Sequence, residues 1–320
     1  MASLGVAFDG RNPMPTLLEQ ARAAEAGGAV SFWVASHLFL RDPFSMAAAV
    51  LGATTRSRVV LMAVSPHVMH PVHIAMGAAT LDEMAPGRVV VCLGTGAPGD
   101  LAGVAVEPVR RIRTLREAVE ITRRLLGGEQ VHYRGERFRV EGRSLNTGRR
   151  AVPVFLAASA AQSLALAGEV ADGVVLSAAT SIPFVRWTLE HVDRGANGRR
   201  LHRAGLVYAA VADRAGAAYD RFRGQLAITL RGEHHAANLR MAGASLDQEA
   251  VRRAVNAEDL KTAEALVSDD VVRRHTASGT PAQVREQLAA YEAAGLDEVV
   301  LAGLYDPAET TRTLRALRVD

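Results

Sequence analysis

Cysteine occurs once in this 320-residue chain, at Cys92, which excludes a disulfide framework and fits a reducing compartment. Cys92 lies in Val89-Val90-Val91-Cys92-Leu93, a run that reads as a buried strand, so its thiol is expected to be inert. Aromatic residues make up only 5% of the chain, which leaves an aliphatic, alanine-rich core. Lysine is also single, Lys261, among 37 basic residues. The arginines are interspersed with carboxylates and the formal net charge is +3, so no block resembles a nucleic-acid-binding arm. No apolar run approaches the ~20 residues of a bilayer span, and the first residues lack a basic leader. A soluble cytoplasmic protein is expected, with neither a membrane nor a nucleic acid as partner.

Several motifs are missing too. No Gly-x-Gly-x-x-Gly opens a helix after the first strand, which weighs against a nicotinamide-binding Rossmann half. There is no Gly-x-Ser-x-Gly elbow, and no carboxylate pair at strand ends of the kind a glycosidase needs. His67, His70 and His73 recur every third residue, and His234-His235 form a doublet. Neither group has the partners of a known ligand set, so no metal site is expected. His70 precedes Pro71, where it is expected to help start a helix.

What is present is a repeated joint. Ala24 to Gly28 precedes Val30 to Val34; Leu166 to Glu169 precedes Asp172 to Leu176; Ala293 to Leu296 precedes Glu298 to Leu301. Each is an alanine-rich helix ending at glycine, then a short β-branched run. Glycine accepts the left-handed helix cap, and apolar runs without alternation suit parallel strands covered on both faces. Further strands fit Gly5–Phe8, Arg58–Val64, Arg88–Leu93, Val152–Ala157 and Gly205–Val211, making about eight. Helices fit Pro13–Gly27, Pro71–Met84, Val109–Leu126 and Ala160–Ala167, and Thr280-Pro281-Ala282-Gln283 reads as a capping box. The spacing predicts an α/β fold, a closed (β/α)8 barrel. Residues 213–277 show helical spacing without a clear strand and are expected to be a helical insertion around the seventh strand, serving as a lid or a subunit contact. A single domain over residues 1–320 is expected.

In such a barrel, chemistry gathers at the carboxyl ends of the strands. The second strand, Trp33-Val34-Ala35-Ser36-His37, delivers an imidazole able to exchange a proton near neutral pH. The third ends at Val64-Ser65-Pro66 and the fourth at Gly94-Thr95-Gly96. The fifth ends at Ala157-Ala158-Ser159-Ala160. These small residues admit a flat ligand or a phosphate to the backbone, and amides after Ser159 suit an anion.

With these strand ends in view, the chain resembles the bacterial-luciferase-like superfamily of flavin and deazaflavin oxidoreductases. It is most similar to the coenzyme F420 branch typified by methylenetetrahydromethanopterin reductase. The resemblance rests on Trp33 to Phe44, Ser65-Pro66 through His70-Pro71, Ala79 to Glu83 with Gly87-Arg88, and Gly94-Thr95-Gly96. It extends to Pro108 through Val119, Leu125 to Glu129 and Val152 through Val174. It implies a deazaflavin ring at the carboxyl face with His37 beside it as the catalytic residue. It also implies a non-prolyl cis peptide at Met62-Ala63, before Val64, backing the ring. The cofactor phosphate is then expected against Ala158, Ser159, Ala160 and Ala161, with Thr95 and Asp100 facing the cofactor's side chain. Two acids found in parts of the superfamily are replaced here by Ser36 and Ala97, which leaves His37 as a solitary proton partner. The loop Arg41 to Ser45, with Arg41 and Phe44, is expected to form the substrate wall. The expected activity is F420-dependent hydride transfer to an activated C=C or C=N bond of a small molecule, in a homodimer. FMN-dependent monooxygenation and cofactor binding without turnover stand as alternatives.

Overall fold

The computed structural model describes residues 2–317. Among the described residues, eleven strands appear in chain order: β1 Ser3–Phe8, β2 Ser31–Ala35, β3 Arg58–Val64, β4 Val89–Leu93, β5 Val131–Arg134 and β6 Arg139–Arg143. They continue with β7 Val154–Ala157, β8 Gly173–Leu176, β9 His202–Val211, β10 Ala277–Gly279 and β11 Glu298–Ala302. The parallel ladder runs β1-β2-β3-β4-β7-β8-β9-β11 and closes where β11 pairs with β1. That is the eight-stranded barrel the glycine joints predict. Every residue of β2, β4, β8 and β11 is buried, as strands covered on both faces require.

The strands pack outward against a helical layer through residues such as Val6, Phe32, Val91 and Leu301. The helix Pro281–Ala293 starts as predicted: the Thr280 amide donates to Gln283 Oε1 at 2.9 Å, and Pro281 takes the first helical position. His70 likewise caps Pro71–Met84, its Nδ1 accepting from the Val72 amide at 3.2 Å. Two features depart from expectation. An antiparallel hairpin, β5–β6, follows the helix Arg111–Leu126, and β9 begins at His202 rather than Gly205. Polar residues hide the β pattern in both places, following Val131 in the hairpin and opening β9 at His202-Arg203.

Residues 215–275 form six short α-helices and a 3-10 turn, an insertion between β9 and β10 with its own apolar cluster around Tyr219, Phe222, Leu226, Val251 and Val271. The cluster is bolted to the barrel rather than hinged on it. Asn238 receives the Ser181 amide at 3.0 Å and donates to Ala179 O at 2.7 Å, while Arg221 donates to Gly303 O at 2.6 Å. Phe222 stacks on Tyr208 of β9 with centroids 5.2 Å apart.

Inside the barrel, the amino end holds a fully buried carboxylate. Glu298 accepts from Trp33 Nε1 at 2.8 Å, from Ser31 Oγ, from Arg58 Nη2 at 3.0 Å and from His202 Nε2 at 2.9 Å. Four strands therefore meet on one side chain. Gly5 makes room for it, since a Cβ there would stand 2.7 Å from Glu298 Oε1. Burial pushes the carboxyl upward, but the bonds from His202, Ser31 and Trp33 and the Arg58 charge outweigh it, so Glu298 titrates below its ordinary value. A depressed folded-state value means stability that is fully present above the unfolded carboxyl range and lost as pH falls through the folded one. Replacing Glu298 by Ala leaves the Arg58 guanidinium without its counter-charge and His202 without its acceptor, and is expected to cost about 3–5 kcal/mol in urea unfolding at neutral pH. Glu298→Gln should flatten the acid limb of the stability–pH profile below about pH 4.5. A profile unchanged by either substitution would refute the role given to this carboxylate.

Candidate functional site

At the opposite end of the barrel, the filling thins out. Above Trp33, Val60, Phe155 and Val175 lie Ala7, Ala63 and Ala157, with Met62 and Leu206 the larger groups at this level. Gly94 completes the layer, where an added Cβ would come within 2.8 Å of the Ala63 Cβ and 3.4 Å of the Ala157 Cβ. The result is a shallow floor of small side chains. β3 bulges between Leu61 and Val64, and the Met62–Ala63 peptide is cis, where the resemblance places it. Ser65 Oγ donates to Thr95 O at 2.7 Å and ties the β3 and β4 loops together. Cys92 is fully buried beneath, and burial pushes its thiol far above the usual range, so it is inert as expected.

Beside this floor, the loops after β2, β3 and β4 enclose a cleft of about 240 Å³. His37 stands in it two residues past the end of β2, with 46% of its side chain exposed. Its Nδ1 is 3.1 Å from Asp100 Oδ2, and the same oxygen accepts the Leu38 amide at 3.1 Å. A carboxylate only accepts, so Nδ1 carries the hydrogen of this contact and Nε2 is left for a second partner. This corrects the expectation of a solitary His37. The carboxylate missing at Ser36 and Ala97 arrives from Asp100, in the first turn of the helix Pro98–Gly103. The turn that aims this helix needs Gly96, which has φ +98°. Phe39 (76% exposed), Leu40 and Val68 give the cleft an apolar rim, with Leu101 buried in its wall.

The turn after β7 is open. Ala158 is buried, while Ser159, Ala160 and Ala161 are exposed. The helix Ala161–Val170 has Ala160 at its cap, which lacks a side-chain acceptor, and Ser163 reaches back to accept the Ala160 amide at 3.3 Å. First-turn amides have no partner inside a helix, so this uncapped end suits a phosphate oxygen.

Two residues expected on the substrate wall lie elsewhere. Arg41 Nη1 donates to Gly10 O and Arg11 O, each at 2.9 Å, and clamps the loop after β1. Phe44 turns outward onto Gly77 of the helix Pro71–Met84. Loop spacing carries no side-chain direction, which is why both were misplaced. Trp187 stacks on Phe184 at 5.0 Å along its own helix, a packing role. No motif marks the polar wall at the ends of β1 and β11, where burial and the nearby Asp9 carboxylate push Tyr305 up to about 12. A larger cavity of about 380 Å³ sits at the amino ends of the strands, lined by Leu4, Val30, Leu288 and Leu314, and abuts Leu317, the last described residue. That end of a barrel serves stability rather than chemistry.

Residues 4–298 match the family model described as luciferase-like monooxygenase. The 5,10-methylenetetrahydromethanopterin reductase of Archaeoglobus fulgidus is 28% identical over 300 residues, covering 87% of this chain and 86% of that protein. The F420-dependent glucose-6-phosphate dehydrogenase of Nakamurella multipartita is 32% identical over 173 residues, about half of each chain (50% and 51%). Among solved structures, the coenzyme F420-dependent tetrahydromethanopterin reductase of Methanopyrus kandleri superposes with a TM-score of 0.90 at 20% identity, over 99% of this chain and 97% of that one.

The floor offers a direct test of its packing. Gly94→Ala forces a methyl group against Ala63, and overpacking of this kind typically costs ~1–3 kcal/mol. Denaturant unfolding should show that loss, and an unperturbed midpoint would mean the floor is looser than described.

Proposed function

The chain belongs to the luciferase-like monooxygenase family, and from that premise we propose that it is a coenzyme F420-dependent oxidoreductase acting on an activated C=C or C=N bond of a small molecule. The observation that carries this reading is the pairing of His37 with Asp100 at the edge of a flat floor. Similarity to F420-dependent enzymes over 87% of the chain in one case and half in another favours the deazaflavin over FMN. Reduced coenzyme F420, when bound, supplies a hydride.

The protein's own groups divide the remaining work. Ala63, Gly94 and Ala157 offer a surface on which a planar ring lies without steric obstruction, with Met62 and Val64 flanking the bulge and Thr95 at the adjacent turn. Ala158 to Ala161 hold a phosphate by backbone amides at a helix start. Asp100 fixes the His37 ring and its tautomer, so that Nε2 exchanges the proton that accompanies hydride transfer. Phe39, Leu40 and Val68 limit water at the cleft's rim.

Fluorescence titration of the protein with coenzyme F420 and, separately, with FMN tests the cofactor. Tight F420 binding with a weaker FMN response is the expected result, and the reverse would favour a flavin monooxygenase. His37→Ala should keep cofactor affinity and lower turnover by ~10²–10⁴. Asp100→Asn should lower turnover less and shift the pH–rate profile, because an amide can present the wrong partner to Nδ1. Near-normal turnover in the His37 variant would end the assignment.

A further inference from the structure

Phe39 is held in a way that folding alone does not require. Its backbone lies in the left-handed region at φ +65°, which disfavours a bulky side chain, yet 76% of the residue is left in water. The ring still has a prepared seat. It rests against Gly103, where an added Cβ would stand 2.8 Å from Phe39 Cε2. A strained backbone, a glycine partner and an exposed aromatic ring together are the marks of a ligand contact. Leu40 and Val68 are likewise large apolar residues left exposed, and all three side chains line the cleft that holds His37.

The rest of the cleft tells what kind of group they meet. Among its described lining residues there is no arginine or lysine. Arg41, which follows Leu40 in the chain, is turned away to Gly10 O and Arg11 O. The two carboxylates of the lining already have partners. Asp42 Oδ1 accepts the Ser45 amide at 2.7 Å, and Asp100 Oδ2 accepts from Leu38 and His37. Ser65 Oγ is bonded to Thr95 O. A negatively charged group would lose its hydration here, meet two acids and find no guanidinium or ammonium in exchange. An apolar group instead removes its own surface and that of Phe39 from water.

Volume sets the size of that group. At about 240 Å³ the cleft exceeds the roughly 150 Å³ of an engineered apolar cavity that takes up benzene. It has room for a ring carrying a short chain.

We propose that the substrate carries an uncharged, ring-sized apolar group beside its reducible bond, and that Phe39, with Leu40 and Val68, selects for it. The proposal rests on the reductase reading above, which puts the reducible bond between the floor and His37. From there the apolar group extends into the cleft along the Phe39 ring.

The test pairs two ligands, benzalacetone (a phenyl ring on a conjugated ketone) and the same molecule with a carboxylate at the 4-position of the ring. Ligand-observed NMR measures the affinity of each for the protein without cofactor, in the wild type and in Phe39→Asn. Asparagine tolerates the left-handed backbone, so this variant removes the ring without adding strain, and an unchanged melting temperature confirms that it folds. Val68→Ser repeats the test on the rim independently of that backbone. The wild type should bind benzalacetone at least about tenfold more tightly than the carboxylate. Each variant should weaken benzalacetone by roughly three- to tenfold and leave the carboxylate unchanged. Equal affinity for the two ligands, no binding of either, or variants that bind benzalacetone like the wild type overturn the proposal. Light scattering adds a further check: a smaller assembly in Phe39→Asn than in the wild type means that a second copy of the chain covers Phe39, which also overturns it. If the preferences hold but coenzyme F420 does not bind, the cofactor reading fails and the apolar subsite stands.

Discussion

A closed eight-stranded barrel must be filled by its own side chains, and here the filling is uneven along the axis. Trp33, Phe155, His202 and the buried Glu298 crowd the amino half, whereas Ala7, Ala63, Gly94 and Ala157 line the carboxyl end. The bulky half is held by a carboxylate bonded to groups from β2, β3 and β9 while standing on β11 itself. The sparse half leaves space over Ala63, Gly94 and Ala157, with Met62 and Leu206 the larger groups at its level. Fold and site are thus two ends of one packing gradient.

Beside that floor the chain sets one histidine–carboxylate pair. His37 comes from β2 and Asp100 from the helix after β4, so their contact depends on β3 lying between two correctly registered neighbours. The bulge of β3 and the Ser65–Thr95 bond set the height of these loops relative to the floor. The helical insertion is anchored by Asn238 and Arg221 to two loops of the barrel, those after β8 and β11. Access to the cleft runs past Phe39, Leu40 and Val68, an apolar entrance to a site with one histidine–carboxylate pair.

Much of this was legible before any coordinates. The alternation of glycine-ended helices with β-branched runs gives the barrel, because both signals are local in the chain. Small residues at strand ends likewise mark the sparsely filled carboxyl face of the barrel. Contacts between distant segments were not legible. Asp100 reads as a first-turn acid after Pro98, and nothing nearby reveals that it faces an imidazole 63 residues earlier. Arg41 and Phe44 sit in a suggestive loop, yet backbone direction sends one to Gly10 and the other to Gly77. The β5–β6 hairpin escaped because Val131 to Arg143 is short, polar and largely exposed, and Glu117 and His70 dock its Phe138 through contacts that no local pattern announces.

The central claim is that the small-residue floor and the His37–Asp100 pair together make a deazaflavin site. A crystal structure of the protein soaked with coenzyme F420 tests it most directly. The account predicts the ring seated over Ala63, Gly94 and Ala157, with the His37 edge toward it and the phosphate at Ala158–Ala161. Density for the ring in the cavity at the amino ends of the strands, or over the floor with His37 turned away and Asp100 released, would contradict it.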